Sequence, residues 1–182
     1  MPKVTLMAQT KDEWRSWARD MTREVDVLPF SALVVDHLIR FLEPNWTVLT
    51  YKAMSHEPDL SKLLHPGRIL VTRTPDTGPL TIHDVSCEYE PHPFGYAQPV
   101  AGTPEVDLQS IDAVLVPGLA FTADGARLGH GKGHYDRLLA SVRVDCLKIG
   151  IVFDELLADW LPAEGHDVSM THLATEFGVR TV

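Results

Sequence analysis

Five short runs rich in β-branched residues limit this chain more than any other feature: WTVLTY (Trp46–Tyr51), ILVT (Ile69–Thr72), LTIHDV (Leu80–Val85), AVLVP (Ala113–Pro117) and LKIGIVF (Leu147–Phe153). Each has the length of a strand and is bounded by turn residues. Helical patterns lie around them. Thr10 followed by Glu13 forms a capping-box pattern, and Trp14, Trp17, Ala18, Met21 and Val25 then recur at helical spacing, predicting an amphipathic helix from about Lys11. Ser31 to Leu42 reads as a second helix, and shorter helical patterns fall at Asp59–Leu64, His134–Val142 and Glu155–Trp160. This alternation predicts an α/β domain, a largely parallel sheet sandwiched by helices.

A chain of 182 residues suits a single domain spanning 1–182, large enough to build a core without disulfides or a structural metal. Cys87 and Cys146 lack the spacing of a zinc site or a disulfide framework and read as reduced thiols. No apolar run is long enough to cross a bilayer, and MPKVTLMAQTKDEW does not resemble a secretory leader, so a cytoplasmic protein without a membrane partner is expected. The net charge of −9 argues against nonspecific nucleic-acid binding, whose affinity comes from lysine and arginine on phosphates. A local basic cluster in such a chain marks a held anion. Lys11 and Arg15 stack one turn apart on the first helix, either reaching into a cleft or lying solvated at its rim. Residues 88–105 carry four prolines and two glycines and read as a long ordered loop, either a binding wall or a plain surface excursion.

The segment VLVPGLAFTADGARLGHGKGHYDR, Val114 to Arg137, runs from an apolar strand through a glycine-rich loop towards a helix. Gly129, Gly131 and Gly133 alternate with His130 and Lys132, so the backbone is free to approach a ligand without Cβ interference. Its amides can cradle phosphate oxygens; a helix near Gly133 adds its dipole, and Arg127 and Lys132 add formal charge. Read as composition alone, the loop is equally a structural turn. It is not a P-loop, because Ala126 stands at the first glycine position and Gly133 follows the lysine. Nor is it a dinucleotide fingerprint, because His134 stands at the last glycine position and the loop begins well beyond the strand. A zinc site from His130, His134 and Asp136 would need a helix across the glycines, which they disfavour.

The run PGLAFxxxGxRLGxGKGxYDRxL, Pro117 to Leu139, resembles the signature of the 5-formyltetrahydrofolate cyclo-ligase family. Fainter likeness covers most of the chain: Lys11 and Arg15 match an N-terminal KxxxR, Glu57 and Asp59 an ExD segment, Phe94, Gly95 and Pro99 an FGxxEP loop, and His166 and Asp167 a C-terminal HD. The chain departs from the pattern at Thr122, where Asp is usual, at Gln98, where Glu is common, and at His134, where Tyr is frequent.

The resemblance implies a three-layer α/β/α sandwich like that of phosphosugar isomerases and CoA transferases. It also implies ATP and Mg²⁺ as requirements and conversion of 5-formyltetrahydrofolate to 5,10-methenyltetrahydrofolate. By the same resemblance Lys11, Arg15, Arg127, Leu128, Gly129, His130, Gly131, Lys132, Gly133, His134 and Tyr135 are candidate ATP ligands, Arg127 and Lys132 also carrying catalysis. Asp136 and Asp167 match metal-holding positions, with a helix N-terminal charge and a turn as their respective structural alternatives. Lys52, Glu57 and Phe121 are candidates for substrate contact, although Phe121 and Tyr135 can equally be core aromatics. A noncatalytic relative binding nucleotide or RNA through the same fold is the competing expectation.

Overall fold

The computed structural model describes residues 10–23 and 25–182, so the reading of the extreme N-terminus lies outside the described residues. Seven strands form the central sheet: β1 (Thr47–Thr50), β2 (Arg68–Arg73), β3 (Thr81–Asp84), β6 (Ala113–Pro117), β9 (Leu147–Ile151), β11 (His172–Thr175) and β12 (Gly178–Thr181). Their order is β12-β11-β9-β6-β1-β2-β3. The five inner strands run parallel, and β12 and β3 close the edges antiparallel.

The period-two alternation of these strands supplies two apolar faces, which is why helices cover both. Leu49, Val114 and Val116 pack with Trp14 and Ala18 of helix α1 (Lys11–Thr22) and with Leu138 and Leu139 of helix α3 (His134–Leu139). Their neighbours Val48, Ala113 and Leu115 point the other way, into a second cluster with Val34, Val35 and Leu38 of helix α2 (Val27–Phe41). A small sheet, β10-β7-β8, joins the α1 face through β7 (Ala120–Thr122), β8 (Arg127–Leu128) and β10 (Leu157–Ala158). The result is a three-layer α/β/α sandwich. The capping box forms as the sequence predicts: the Glu13 amide donates to Thr10 Oγ1 at 3.3 Å and the Thr10 amide to Glu13 Oε2 at 3.1 Å.

Several element boundaries differ from expectation, each for a local reason. Helix α2 begins at Val27, because Pro29 sits in the first turn, where no amide is needed, and Ser31 Oγ donates back to the Val27 carbonyl at 2.6 Å. No helix forms at Asp59–Leu64: the Asp59 carboxylate accepts from the amide and hydroxyl of Ser61 and makes a turn. Helix α3 stops at Leu139 rather than Val142. Glu155–Trp160 becomes a 3₁₀ turn at Asp154–Leu156 followed by β10, whose pairing with β7 overrides the helical pattern. The proline-rich segment is not simply a loop; it contains a hairpin of β4 (Tyr89–Pro91) and β5 (Ala97–Pro99), with Pro91 and Pro99 in a two-stranded unit whose outer edges need no amide.

Candidate active site

In the strand order, β1 leads to β2 on one side while β6 leads to β9 on the other, so the chain changes direction between β1 and β6. Loops leaving the carboxyl ends of two such strands diverge and open a crevice, the usual ligand position in open α/β sheets. A cavity of about 520 Å³ lies there. Tyr51, Lys52 and Glu57 enter it from the loop after β1, Thr72 and Thr74 from the end of β2, and Pro117 from the end of β6.

The glycine-rich loop after β8 forms one wall, from Leu128 through Gly129, His130, Gly131, Lys132 and Gly133 to His134, Tyr135 and Asp136. Gly131 has φ +96°, and a Cβ there would lie 3.2 Å from the Arg15 guanidinium. Gly133, at φ +65°, turns the chain into α3 without a side-chain cap. Because α3 is only 6 residues long, its dipole adds less than the sequence suggests; formal charge and loop amides dominate this wall.

Among the described residues, Lys11, Arg15 and Arg127 reach the cavity in ion pairs, and Lys132 stands exposed at the rim. Arg127, its side chain 6% exposed, donates to Asp136 Oδ1 at 2.8 Å and to the Pro117 carbonyl at 3.3 Å. Arg15 Nε donates to the Gly129 carbonyl at 3.1 Å, tying α1 to the glycine loop. Lys11 Nζ lies 2.8 Å from Asp167 Oδ2 and 3.2 Å from Glu164 Oε2. Burial alone would lower the Lys11 pKa, but these carboxylates overcome it and hold the ammonium above its ordinary value. Burial likewise raises Asp167, yet the Lys11 hydrogen bond and the Glu164 amide prevail and hold its carboxyl below the ordinary range.

The rest of the lining has a different chemistry. Glu57 is 5% exposed, its Oε2 accepting from the Met54 amide at 2.9 Å and its Oε1 lying 3.3 Å from His130 Nε2. Phe94 and Tyr96, between β4 and β5, line the same cavity with Thr72 and Thr74. Tyr51 donates to the Pro58 carbonyl at 2.9 Å, and burial pushes its hydroxyl pKa well up. The Tyr135 ring lies 5.7 Å from the Arg127 guanidinium, and burial raises its pKa too, keeping the phenol protonated. Lys52 Nζ sits 4.5 Å over the Tyr89 ring.

Phe121 does not line the cavity. It is fully buried, and its ring fills the space left by Gly118 and Gly150, where an added Cβ would lie 2.8 and 2.5 Å from ring atoms. The substrate-contact expectation for Phe121 is therefore replaced by a core role. His130, His134 and Asp136 do not gather into a ligand set: Asp136 is held by Arg127, and His134 Nδ1 lies 3.1 Å from Arg137 Nη2. Thr122 and Gln98 brace rather than line: Thr122 Oγ1 accepts from the Ala126 amide and bonds Asp124, while Gln98 bridges the Thr74 amide and Glu90. Sequence reasoning missed Tyr51, Thr72, Thr74 and Tyr96, which stand outside the glycine run and meet in the cavity only through the fold.

The model of the 5-formyltetrahydrofolate cyclo-ligase family matches residues 18–176. The chain belongs to that family. A 5-formyltetrahydrofolate cyclo-ligase from Mycolicibacterium smegmatis is 43% identical over 83 residues, 45% of this chain and 43% of the relative. The Saccharomyces cerevisiae cyclo-ligase is 37% identical over 84 residues, 43% of this chain and 39% of the relative. In these matches the chain spans less than half the length of its curated relatives. The likeness in three dimensions is broader. The solved 5,10-methenyltetrahydrofolate synthetase of Aquifex aeolicus superposes with a TM-score of 0.79 at 27% identity, over 94% of this chain and 92% of that one. The Mycoplasma pneumoniae synthetase, at 21% identity and a TM-score of 0.73, shares the fold. Among the described residues of this family member, no helix is long and apolar enough to cross a membrane.

Proposed function

We propose that this protein converts 5-formyltetrahydrofolate to 5,10-methenyltetrahydrofolate, consuming ATP and releasing ADP and phosphate. The observation that carries the reading is one cavity with two chemically distinct walls. Lys11, Arg15, Arg127 and Lys132 line it with the glycine loop, and the buried carboxylate of Glu57 enters it from the loop after β1.

An N-formyl group is an amide, and its oxygen is a poor leaving group. In the proposed chemistry the formyl oxygen attacks the γ-phosphorus and the bond to ADP breaks, leaving a phosphorylated iminium carbon. N10 adds to that carbon and loses its proton, and the former formyl oxygen departs within inorganic phosphate. Little covalent work falls to the protein, so catalysis is placement and charge stabilisation. Arg127, fixed by Asp136 and the Pro117 carbonyl, is preorganised to face charge moving from the γ-phosphoryl group to ADP. Lys132, at the exposed rim, closes on the phosphates as they arrive. Glu57 is suited to accept paired hydrogen bonds from the amino and ring N–H groups of a pterin, orienting the formyl group towards the cationic wall.

Asp136, Asp167 and Glu164 offer hard carboxylate oxygens, a donor set that fits Mg²⁺. Bound there with ATP, that ion would supply charge neutralisation at the phosphates. Lys11 pairs with Asp167 and Arg127 with Asp136. Two titrations follow. Purified protein mixed with MgATP and 5-formyltetrahydrofolate is expected to accumulate methenyl product, seen by its absorbance, and calorimetry is expected to show ATP binding that requires magnesium. Folded protein that neither turns over nor binds MgATP would defeat the reading.

A further inference from the structure

Two histidines, His56 and His130, lie beside Glu57. His130 Nε2 lies 3.3 Å from Glu57 Oε1, and the His56 and His130 rings are 5.7 Å apart between centroids. One ligand atom from each of the three residues lies within 4.8 Å of the others. Glu57 is fixed rather than mobile: its side chain is 6% exposed and Oε2 is held by the Met54 amide, which directs Oε1 at His130.

Two imidazoles and a carboxylate at this separation are the donor set of three-ligand zinc sites that leave a fourth position open. Nitrogen donors select borderline cations of the zinc, cobalt and nickel group over magnesium, whose oxygen donors lie elsewhere in the cavity.

We propose that His56, Glu57 and His130 form a binding site for a zinc-class divalent cation, and that the cation and reduced folate exclude each other. The exclusion rests on the functional reading above, in which Glu57 receives the pterin; the metal site does not. His56 and Glu57 belong to the loop after β1 and His130 to the glycine loop, so a bound ion cross-links the two sides of the crevice and removes the carboxylate that folate needs. A second cluster, Glu164, His166 and Asp167, pairs its carboxylates with Lys11 and offers one imidazole rather than two; His166 serves as the control.

The test uses metal-free full-length protein titrated with Co²⁺ and then Zn²⁺, with circular dichroism confirming that each variant folds. The wild type is expected to take up one equivalent of Co²⁺ with visible ligand-field bands, which Zn²⁺ then displaces. His56→Ala and His130→Ala each weaken binding by at least about tenfold, the lower end of what even an outer-shell partner contributes. His166→Ala leaves it unchanged, and excess 5-formyltetrahydrofolate lowers the apparent zinc affinity. Absence of stoichiometric uptake, wild-type affinity in either histidine variant, or a loss that follows His166 would overturn the metal site. Undiminished zinc binding under saturating folate would overturn the exclusion. Intact zinc binding in a protein that forms no methenyl product would leave the site standing and sink the functional reading alone.

Discussion

Lys132 and Arg127 bring the same charge to the cavity by different structural means. Lys132 is exposed at the rim, so Lys132→Ala removes a phosphate contact with little effect on folding. Turnover is expected to fall by about a hundredfold or more, the scale of losing one preorganised electrostatic donor, at an unchanged melting temperature. Arg127 is buried against Asp136, and Arg127→Ala strands that carboxylate, which costs about 3 kcal/mol of stability in addition to activity. Near-normal rates in both variants, measured on folded material, would remove them from the reaction. Glu57→Gln is expected to raise the KM for 5-formyltetrahydrofolate with MgATP affinity preserved; equal folate affinity would exclude Glu57 from the pterin. That Arg127 and Lys132 line the cavity was anticipated through the resemblance of the whole Pro117–Leu139 run, since composition alone left a structural turn equally open. Phe121 misled because a ring beside a motif carries no mark of which way it faces, and only Gly118 and Gly150 reveal that it faces inward.

At the scale of elements, the glycine loop and α1 act as one unit through Arg15 and the Gly129 carbonyl. Gly131→Ala forces a left-handed alanine, at about 1 kcal/mol, and pushes its Cβ against the Arg15 guanidinium. The expected outcome is weaker MgATP binding by calorimetry with the sheet intact by circular dichroism; unchanged affinity would show that the loop does not hold the nucleotide. The long helices and the five strand runs were legible because their apolar periods are strong. The short segments were not. Asp59–Leu64 and Glu155–Trp160 carry helical spacing, but a side-chain turn at Asp59 and pairing with β7 decide them, and neither appears in a local window. The edge hairpin of β11 and β12 escaped notice because polar and apolar residues mix in it as suits a half-covered edge.

For the molecule as a whole, stability is expected to fall on mild acidification. His56, His134 and His172 all have lowered pKa values, each chiefly through burial. The unfolded chain therefore binds protons that the fold resists, so their contribution is complete above about pH 6.5 and is lost as pH drops below it. Asp167 and Asp84, held below the usual carboxylate range, lose theirs only at lower pH, below about 4. The melting temperature should be lower at about pH 5.5 than at about pH 7.5; an equal or higher value would contradict the burial of these rings. The sandwich itself was legible from the strand and helix alternation, whereas the rest of the site's lining depended on strand order, which sets the ends of β1 and β2 beside the end of β6. The central claim is that this lining lets a formyl oxygen capture the γ-phosphoryl group. Substrate carrying ¹⁸O in its formyl group tests it most directly: the label is predicted to appear in inorganic phosphate, and its appearance in water, or the absence of methenyl product, would contradict the account.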